Sequence, residues 1–277
     1  MSEVNRESVG LVAGRGRYPL LFCESARAKG VRKIVVAAMH GETDAVIERL
    51  ADEVVWMHVG QLNKAIKCFV HREVRQVVFA GQIKPARLFG DLRPDLRAIK
   101  LLATLKLRNA ESIFGALATE FLKDGVTVLP ATTFLEDSLA GEGVLGRHKP
   151  KKRVLEDVEL GWRIAREVSR LDVGQTVVVK DGTVLAVEGF EGTDKAIVRG
   201  GELGGGGVTV VKVAKPNHDM RFDVPCIGLR TVESLRNAGA IALGVQAGKT
   251  LLIDRAETLA ALDKAKIAIV GCGANEA

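Results

Sequence analysis

Short apolar runs separated by amphipathic segments set the pattern of the first half of the chain. Val9-Gly10-Leu11-Val12-Ala13, Lys33-Ile34-Val35-Val36-Ala37-Ala38, Glu53-Val54-Val55-Trp56-Met57 and Gln76-Val77-Val78-Phe79-Ala80 have strand length and abundant β-branched residues. Between them, residues 20–29, 43–50 and 60–72 space their apolar positions as helices do. This alternation predicts a parallel, doubly wound sheet. Residues 87–122 read as mostly helical, with a capping start at Asn109-Ala110-Glu111-Ser112, and Gly125-Val126-Thr127-Val128-Leu129 returns to a strand.

The second half has a different rhythm. Leu155, Val158, Trp162, Ala165 and Val168 make the apolar stripe of a helix over 154–171. Two β runs follow over 174–187, joined by Lys180-Asp181-Gly182-Thr183, and Asp-Gly in that setting is a strong hairpin signal. A short helix is expected over 195–199, a flexible glycine loop over 200–207 and a strand over 208–213. Helices over 231–237 and 257–265, with strands over 240–245, 251–253 and 267–270, complete the pattern. The exit Gly141-Glu142-Gly143-Val144-Leu145-Gly146 reads as a boundary. The expected architecture is therefore α/β: a Rossmann-like parallel-sheet domain over 1–146 and a smaller α+β domain over 147–277.

Composition narrows the partners. Of 277 residues 47% are hydrophobic and 27% charged, enough for a sizeable core in a globular chain. Nine Phe, two Trp and one Tyr make that core aliphatic and leave few rings for stacking nucleic-acid bases. A formal charge of +6 is modest at this length, so no nucleic-acid track is expected; small anionic ligands or a phospholipid surface fit better. Cys23, Cys68, Cys226 and Cys272 show no CxxC spacing, which argues against zinc and disulfides and for a reducing cytoplasm. The opening residues lack a signal-peptide pattern, and no apolar run reaches the roughly 18–20 residues of a membrane span. The expectation is a cytoplasmic protein, in peripheral contact with a membrane at most; a homo-oligomer is compatible with all of this.

Two strand ends carry glycine and cationic residues together: Gly14-Arg15-Gly16-Arg17 after the first strand and Gly81-Gln82-Ile83-Lys84 after the fourth. Strand, glycine turn and helix present backbone N–H groups to a phosphate, although the third glycine of the dinucleotide fingerprint is missing. Gly248-Lys249-Thr250 is no P-loop, because the first glycine of that motif is absent and a strand follows. The basic run Arg147-His148-Lys149-Pro150-Lys151-Lys152-Arg153 reads first as a solvated hinge, with contact to phosphates or an anionic membrane face as the functional alternative. The densest chemistry lies in Lys212-Val213-Ala214-Lys215-Pro216-Asn217-His218-Asp219-Met220-Arg221-Phe222-Asp223-Val224-Pro225. Asp219 and Asp223 in a proline-stiffened loop suit a hard cation such as Mg²⁺, and Lys212, Lys215 and Arg221 suit phosphate oxygens. Glu191 and Asp194 would complete such a set if the fold brings them near. Spacing alone leaves open a salt-bridged surface turn, and it leaves open a nucleotide-binding protein or an oxidoreductase built on the first domain.

Three motifs in matching order resemble the LpxI family: Gly10-Leu11-Val12-Ala13-Gly14-Arg15-Gly16-Arg17-Tyr18-Pro19, Glu191-Gly192-Thr193-Asp194, and the loop from Lys215 to Pro225. The resemblance covers nearly the whole chain and is most specific in the second half. It implies a UDP-2,3-diacylglucosamine pyrophosphatase of lipid A biosynthesis, releasing lipid X and UMP with Mg²⁺ and working at the inner-membrane surface. It implies two domains closing around the substrate and a catalytic aspartate that is Asp219 or Asp223, both of them the expected metal ligands. Arg221 and Lys215 are expected beside that aspartate. Gly14, Arg15, Gly16, Gln82, Lys84, Glu191, Gly192, Thr193, Asp194 and Lys212 are expected to bind the substrate.

Overall fold

The computed structural model describes residues 4–83, 93–105, 110–215, 219–222 and 224–273. The chain divides into two units, one of residues 1–136 with 219–223 and one of residues 137–218 with 224–277. Residues 137–146, which precede the boundary expected from sequence, fall in the second unit.

The first unit is built on five parallel strands: β1 (Ser8–Ala13), β2 (Lys33–Met39), β3 (Glu53–Met57), β4 (Gln76–Ala80) and β5 (Thr127–Val128). Their order is β3-β2-β1-β4-β5. β1 leads to β2 through helix α1 (Tyr18–Ala28), and β3 to β4 through α2 (Leu62–Val70). Since crossovers are right-handed, the reversal of direction at β1 puts these two helices on opposite faces. Leu62, Ala65, Ile66 and Phe69 of α2 share a core with Val35, Ala37, Met57 and Val77. The alternate residues Leu11, Ile34, Val36 and Ala38 are fully buried as well, so the sheet is covered on both sides. Helices α3 (Leu96–Thr104) and α4 (Ala110–Lys123) add Ala98, Leu101, Ala118 and Phe121 to the α2 core. The helix expected over 43–50 is a 3₁₀ turn, Ala45–Arg49, whose N-cap Asp44 accepts from Val46 N.

The second unit holds a six-stranded mixed sheet in the order β6-β13-β11-β9-β7-β8. Its strands are β6 (Gly143–Val144), β7 (Thr176–Lys180), β8 (Thr183–Val187), β9 (Val208–Lys212), β11 (Ala240–Gln246) and β13 (Ala268–Cys272). A separate parallel pair joins β10 (Cys226–Ile227) to β12 (Leu251–Leu252). Helix α5 (Lys152–Arg170) covers one face through Val158, Trp162 and Ala165. Helices α6 (Thr193–Gly204), α7 (Leu229–Asn237) and α8 (Arg255–Lys264) cover the other, with Ile197, Val232, Leu235 and Leu262 in the core. The expected hairpin is present, with Asp181 and Gly182 both at positive φ (51° and 76°), as a two-residue turn of this kind needs.

One expectation fails instructively. The stretch Gly200-Gly201-Glu202-Leu203-Gly204 is not a loop but the last half of α6. A Cβ on Gly200 would lie 2.6 Å from the Val178 side chain, and one on Gly201 would lie 2.4 Å from Ala238 Cα. These glycines let the helix lie against the sheet and against α7. Close packing, rather than flexibility, explains them.

Candidate active site

β1 and β4 are neighbours although β2 and β3 intervene in sequence, so the strand order reverses between them. In doubly wound sheets the ligand crevice opens outside the carboxyl ends of the strands at that reversal. Gly14-Arg15-Gly16 leaves β1 there, and Gly81-Gln82 leaves β4. The two loops lock together: Gly14 N donates to Ala80 O (2.8 Å), Arg15 N to Gln82 O (2.7 Å) and Gln82 N to Arg15 O (3.2 Å). A Cβ on Gly14 would stand 2.6 Å from the Gln82 carbonyl oxygen, so the approach needs glycine. Gly16, at φ 96°, turns the chain into α1 with open space where a side chain would be. The first turn of α1 has proline, no acidic residue and no side-chain cap. A helix N-terminus without a carboxylate in its first turn favours an anion, and Arg15 stands beside it.

Residues 219–222, although far along the chain, belong to this same unit. Phe222 stacks on Phe114 (ring centroids 4.9 Å apart, 17° between planes) and meets Phe79 edge-on (5.1 Å, 70°). Ala131 N donates to Met220 O at 2.7 Å, and the Tyr18 hydroxyl donates to Ala131 O at 2.6 Å. Phe79 lies near the carboxyl end of β4 and Tyr18 begins α1, so these contacts seat the turn at the carboxyl edge of the sheet. Within it Arg221 grips Asp219: Nε donates to Oδ1 at 2.8 Å, Nη2 to Oδ2 at 2.6 Å, and the Arg221 backbone N to Oδ1 at 3.1 Å. This fork holds the guanidinium pKa above its ordinary value, the hydrogen bonds it donates to Asp219 being the main cause.

The second unit gathers another group at the carboxyl end of β9. Lys212 ends that strand, is 7% exposed, and reaches Cys226 O only at 3.4 Å. Its register partner across β7 is Thr176, and Thr176 O accepts from Glu188 N at 2.8 Å. Lys212, Thr176 and Glu188 therefore stand in one row across three chain segments, on the face that carries α6. Thr193 opens α6 and donates to Glu188 Oε1 at 3.0 Å, while Glu188 Oε2 is buried with no hydrogen-bond partner. Gly192, the N-cap of α6, sits at φ 85° without capping that helix through a side chain. The remaining expected residues are engaged elsewhere: Glu191 with Arg199, Asp194 with Arg230, and Lys215 with Asp172. The Arg199 hydrogen bond holds the Glu191 carboxyl below its ordinary range.

Lys84, His218 and Asp223 lie outside the described residues. Among the described residues no group of three His, Cys, Asp or Glu side chains could hold a metal ion. Asp219 alone is one carboxylate, and its oxygens are turned to Arg221. The described donors thus do not by themselves fit Mg²⁺.

A model of the LpxI N-terminal domain matches residues 8–138, and one of the LpxI C-terminal domain matches residues 141–270. The chain belongs to the LpxI family. A curated member, the UDP-2,3-diacylglucosamine pyrophosphatase LpxI of Caulobacter vibrioides (strain ATCC 19089 / CIP 103742 / CB 15), is 30% identical over 280 residues. That match spans 97% of this chain and 98% of the relative. Among solved structures, the biotin carboxylase subunit of pyruvate carboxylase is 14% identical with a TM-score of 0.25, over 67% of this chain and 36% of that one. The biotin carboxylase domain of a thermophilic 2-oxoglutarate carboxylase gives 15% and 0.26, over 71% and 40%. Scores this low carry no argument about the family's fold.

Three contributors to these groups have no role assigned from sequence: Phe222 as the anchor of the Asp219 turn and Tyr18 as part of its seat, both inside the family motifs, and the buried Glu188 beside Thr193, outside them. Glu188 stands only three residues before the Glu191-Gly192-Thr193-Asp194 motif, and an acid directly after an apolar strand run was the available signal.

Proposed function

We propose that this chain hydrolyses the pyrophosphate of UDP-2,3-diacylglucosamine, giving 2,3-diacylglucosamine 1-phosphate and UMP. The observation that carries the proposal is membership of the family along both halves of the chain, with a relative of that name aligned end to end. Water attacks one phosphorus while the bridging oxygen leaves with the other. The reaction therefore asks for donors on the phosphate oxygens and a carboxylate to orient the water. In the first unit, the Gly16 amide, the positive end of α1 and the Arg15 side chain take the donor role, and Asp219, aimed by Arg221, takes the carboxylate role. In the second, Lys212 and the amides opening α6 take phosphate, while Thr193 and Glu188 take hydroxyl groups.

We further propose that turnover needs Mg²⁺, with Asp219 and Asp223 as its carboxylate ligands. Bound there, the ion would neutralise charge on the pyrophosphate. Asp219 would have to exchange its Arg221 contacts to ligate. A lipid substrate and four cysteines without disulfide spacing support a reaction at the cytoplasmic face of a membrane.

The test is UMP release from UDP-2,3-diacylglucosamine, with Mg²⁺ or with EDTA. Asp219→Ala and Arg221→Ala should each lower kcat by about 10²–10³-fold, the usual cost of removing a transition-state contact. No release by the unaltered protein would sink the hydrolase reading. Undiminished activity in both variants would sink the residue assignment, and undiminished activity in EDTA would sink the metal.

A further inference from the structure

Beside the crevice, the carboxyl edge of the first sheet carries a cluster of stacked rings. His40 directly follows β2, Trp56 is the penultimate residue of β3, and His58 follows β3. The His40 ring lies on the Trp56 ring with centroids 5.5 Å apart and 22° between planes, and on the His58 ring at 4.9 Å and 43°. The stack is held from several sides. His40 N donates to Met57 O (2.8 Å), Trp56 Nε1 to Glu48 Oε1 (2.7 Å), His58 N to Gln61 Oε1 (2.9 Å) and Lys64 Nζ to Trp56 O (2.9 Å). Of the three rings, His40 is the exposed one and the others are half-buried beneath it. The whole chain has two tryptophans and five histidines, and one tryptophan and two histidines meet at this sheet edge.

Two further facts give the stack a direction. Glu42, only 7% exposed, stands three residues beyond the end of β2, the place where doubly wound folds put the acid that hydrogen-bonds a ribose. Thr43 Oγ1 donates to Ala13 O at 2.6 Å and accepts from Met39 N at 2.8 Å, fastening this loop to the end of β1, one residue before Gly14. Strands are about 4.8 Å apart, so the group after β3 lies roughly 10 Å from the loop after β1. That is the reach from the 5′-phosphate of a nucleoside monophosphate to its base. We infer that His40, backed by Trp56 and His58, is a stacking platform for the heterocyclic base of a nucleotide, with Glu42 accepting from its ribose and the Gly14–Gly16 loop holding its phosphate. The inference rests on the proposed nucleotide substrate for the choice of base, and on the fold for the place.

Binding and turnover separate the two claims. The full chain is titrated with UMP, with ribose 5-phosphate and with inorganic phosphate, following tryptophan emission and heat. The other tryptophan, Trp162, is buried in the core of the second unit, so Trp56→Phe identifies which ring responds. UMP should change the emission, the change should vanish in Trp56→Phe, and ribose 5-phosphate should bind without it. His40→Ala, a change at an exposed ring that leaves the core intact, should weaken UMP about tenfold and leave ribose 5-phosphate unaffected. Glu42→Gln should weaken both sugars and spare inorganic phosphate. The platform is overturned if UMP does not bind, if it leaves Trp56 emission unchanged, or if His40→Ala binds it like the unaltered protein. A chain that binds UMP through His40 yet hydrolyses nothing keeps the platform and loses the hydrolase. A chain that hydrolyses with an unchanged KM in His40→Ala does the reverse.

Discussion

Arg221 and Gly201 mark the two ways single residues matter here. Arg221 fixes a carboxylate by geometry, and a lysine in its place would keep the charge but lose the fork that reaches both oxygens. Gly201 acts by having no side chain: a methyl group there would meet the backbone of Ala238 at 2.4 Å. Backbone cannot move aside as a flexible side chain can. Gly201→Ala should therefore cost about 2–3 kcal/mol, at the upper end of overpacking effects. Gly115, inside α4, has nothing within 4 Å of the same added atom. Gly115→Ala should instead stabilise by about 0.5–1 kcal/mol through helix propensity. Denaturant midpoints of the two variants check both signs, and equal shifts would refute the packing account of the α6 glycines.

At the scale of elements, α3 and α4 are joined by a charged clasp. Arg97 donates to Glu120 Oε2 at 2.7 Å and pairs with Asp124, while Lys123 holds the other oxygen of Glu120. These bonds, that from Lys123 first and that from Arg97 second, lower the Glu120 pKa from its ordinary 4.5. A lowered carboxyl pKa stabilises the fold fully above the ordinary value, and the contribution is lost as pH falls through the lowered one. Glu120→Gln should therefore destabilise at neutral pH, and the gap to the unaltered protein should close as pH drops below 4.5. Melting curves across that range would show it, and a gap independent of pH would refute it. Elements such as these were largely legible in the sequence, because strand-length apolar runs and a 3.6-residue stripe are local signals. The second site was less so, and a bulge is the reason. Lys180 pairs with Thr183, but the register shifts between Val178 and Val179, so that Val177 pairs with Val187. Without the bulge, Thr176 would stand opposite Val187; with it, Thr176 O meets Glu188 N and the acid joins the row of Lys212. A slip of one residue turns a side chain to the other face, and no local pattern announces it. The role of the α6 glycines is illegible in sequence for a related cause, since what they pack against, Val178 and Ala238, is distant along the chain.

Over the whole molecule, the least legible feature is the return of residues 219–222 to the first unit after β9. Hydrophobic patterning marks Phe222 as one apolar residue in a charged loop, which says nothing of where it docks. The structure seats it against Phe79 and Phe114, with Met220 O accepting from Ala131 N. The turn that carries Asp219 and Arg221 is thus fixed by an apolar anchor one residue beyond its ion pair. Phe222→Ala should remove that anchor. Phe222 is half-buried, so the cost should fall below the 3–5 kcal/mol of a core Phe→Ala, at about 2 kcal/mol, and it should fall on the first unit. Hydrogen exchange resolved by peptide gives the decisive reading. Amides of β4, β5 and the loop through Ala131 should lose protection, those of β9 and β11 should keep it, and UMP release should drop with the Asp219–Arg221 pair intact in sequence. Unchanged exchange across β4 and β5 would mean that the turn holds its place without Phe222, and that the ion pair, rather than the ring, seats it.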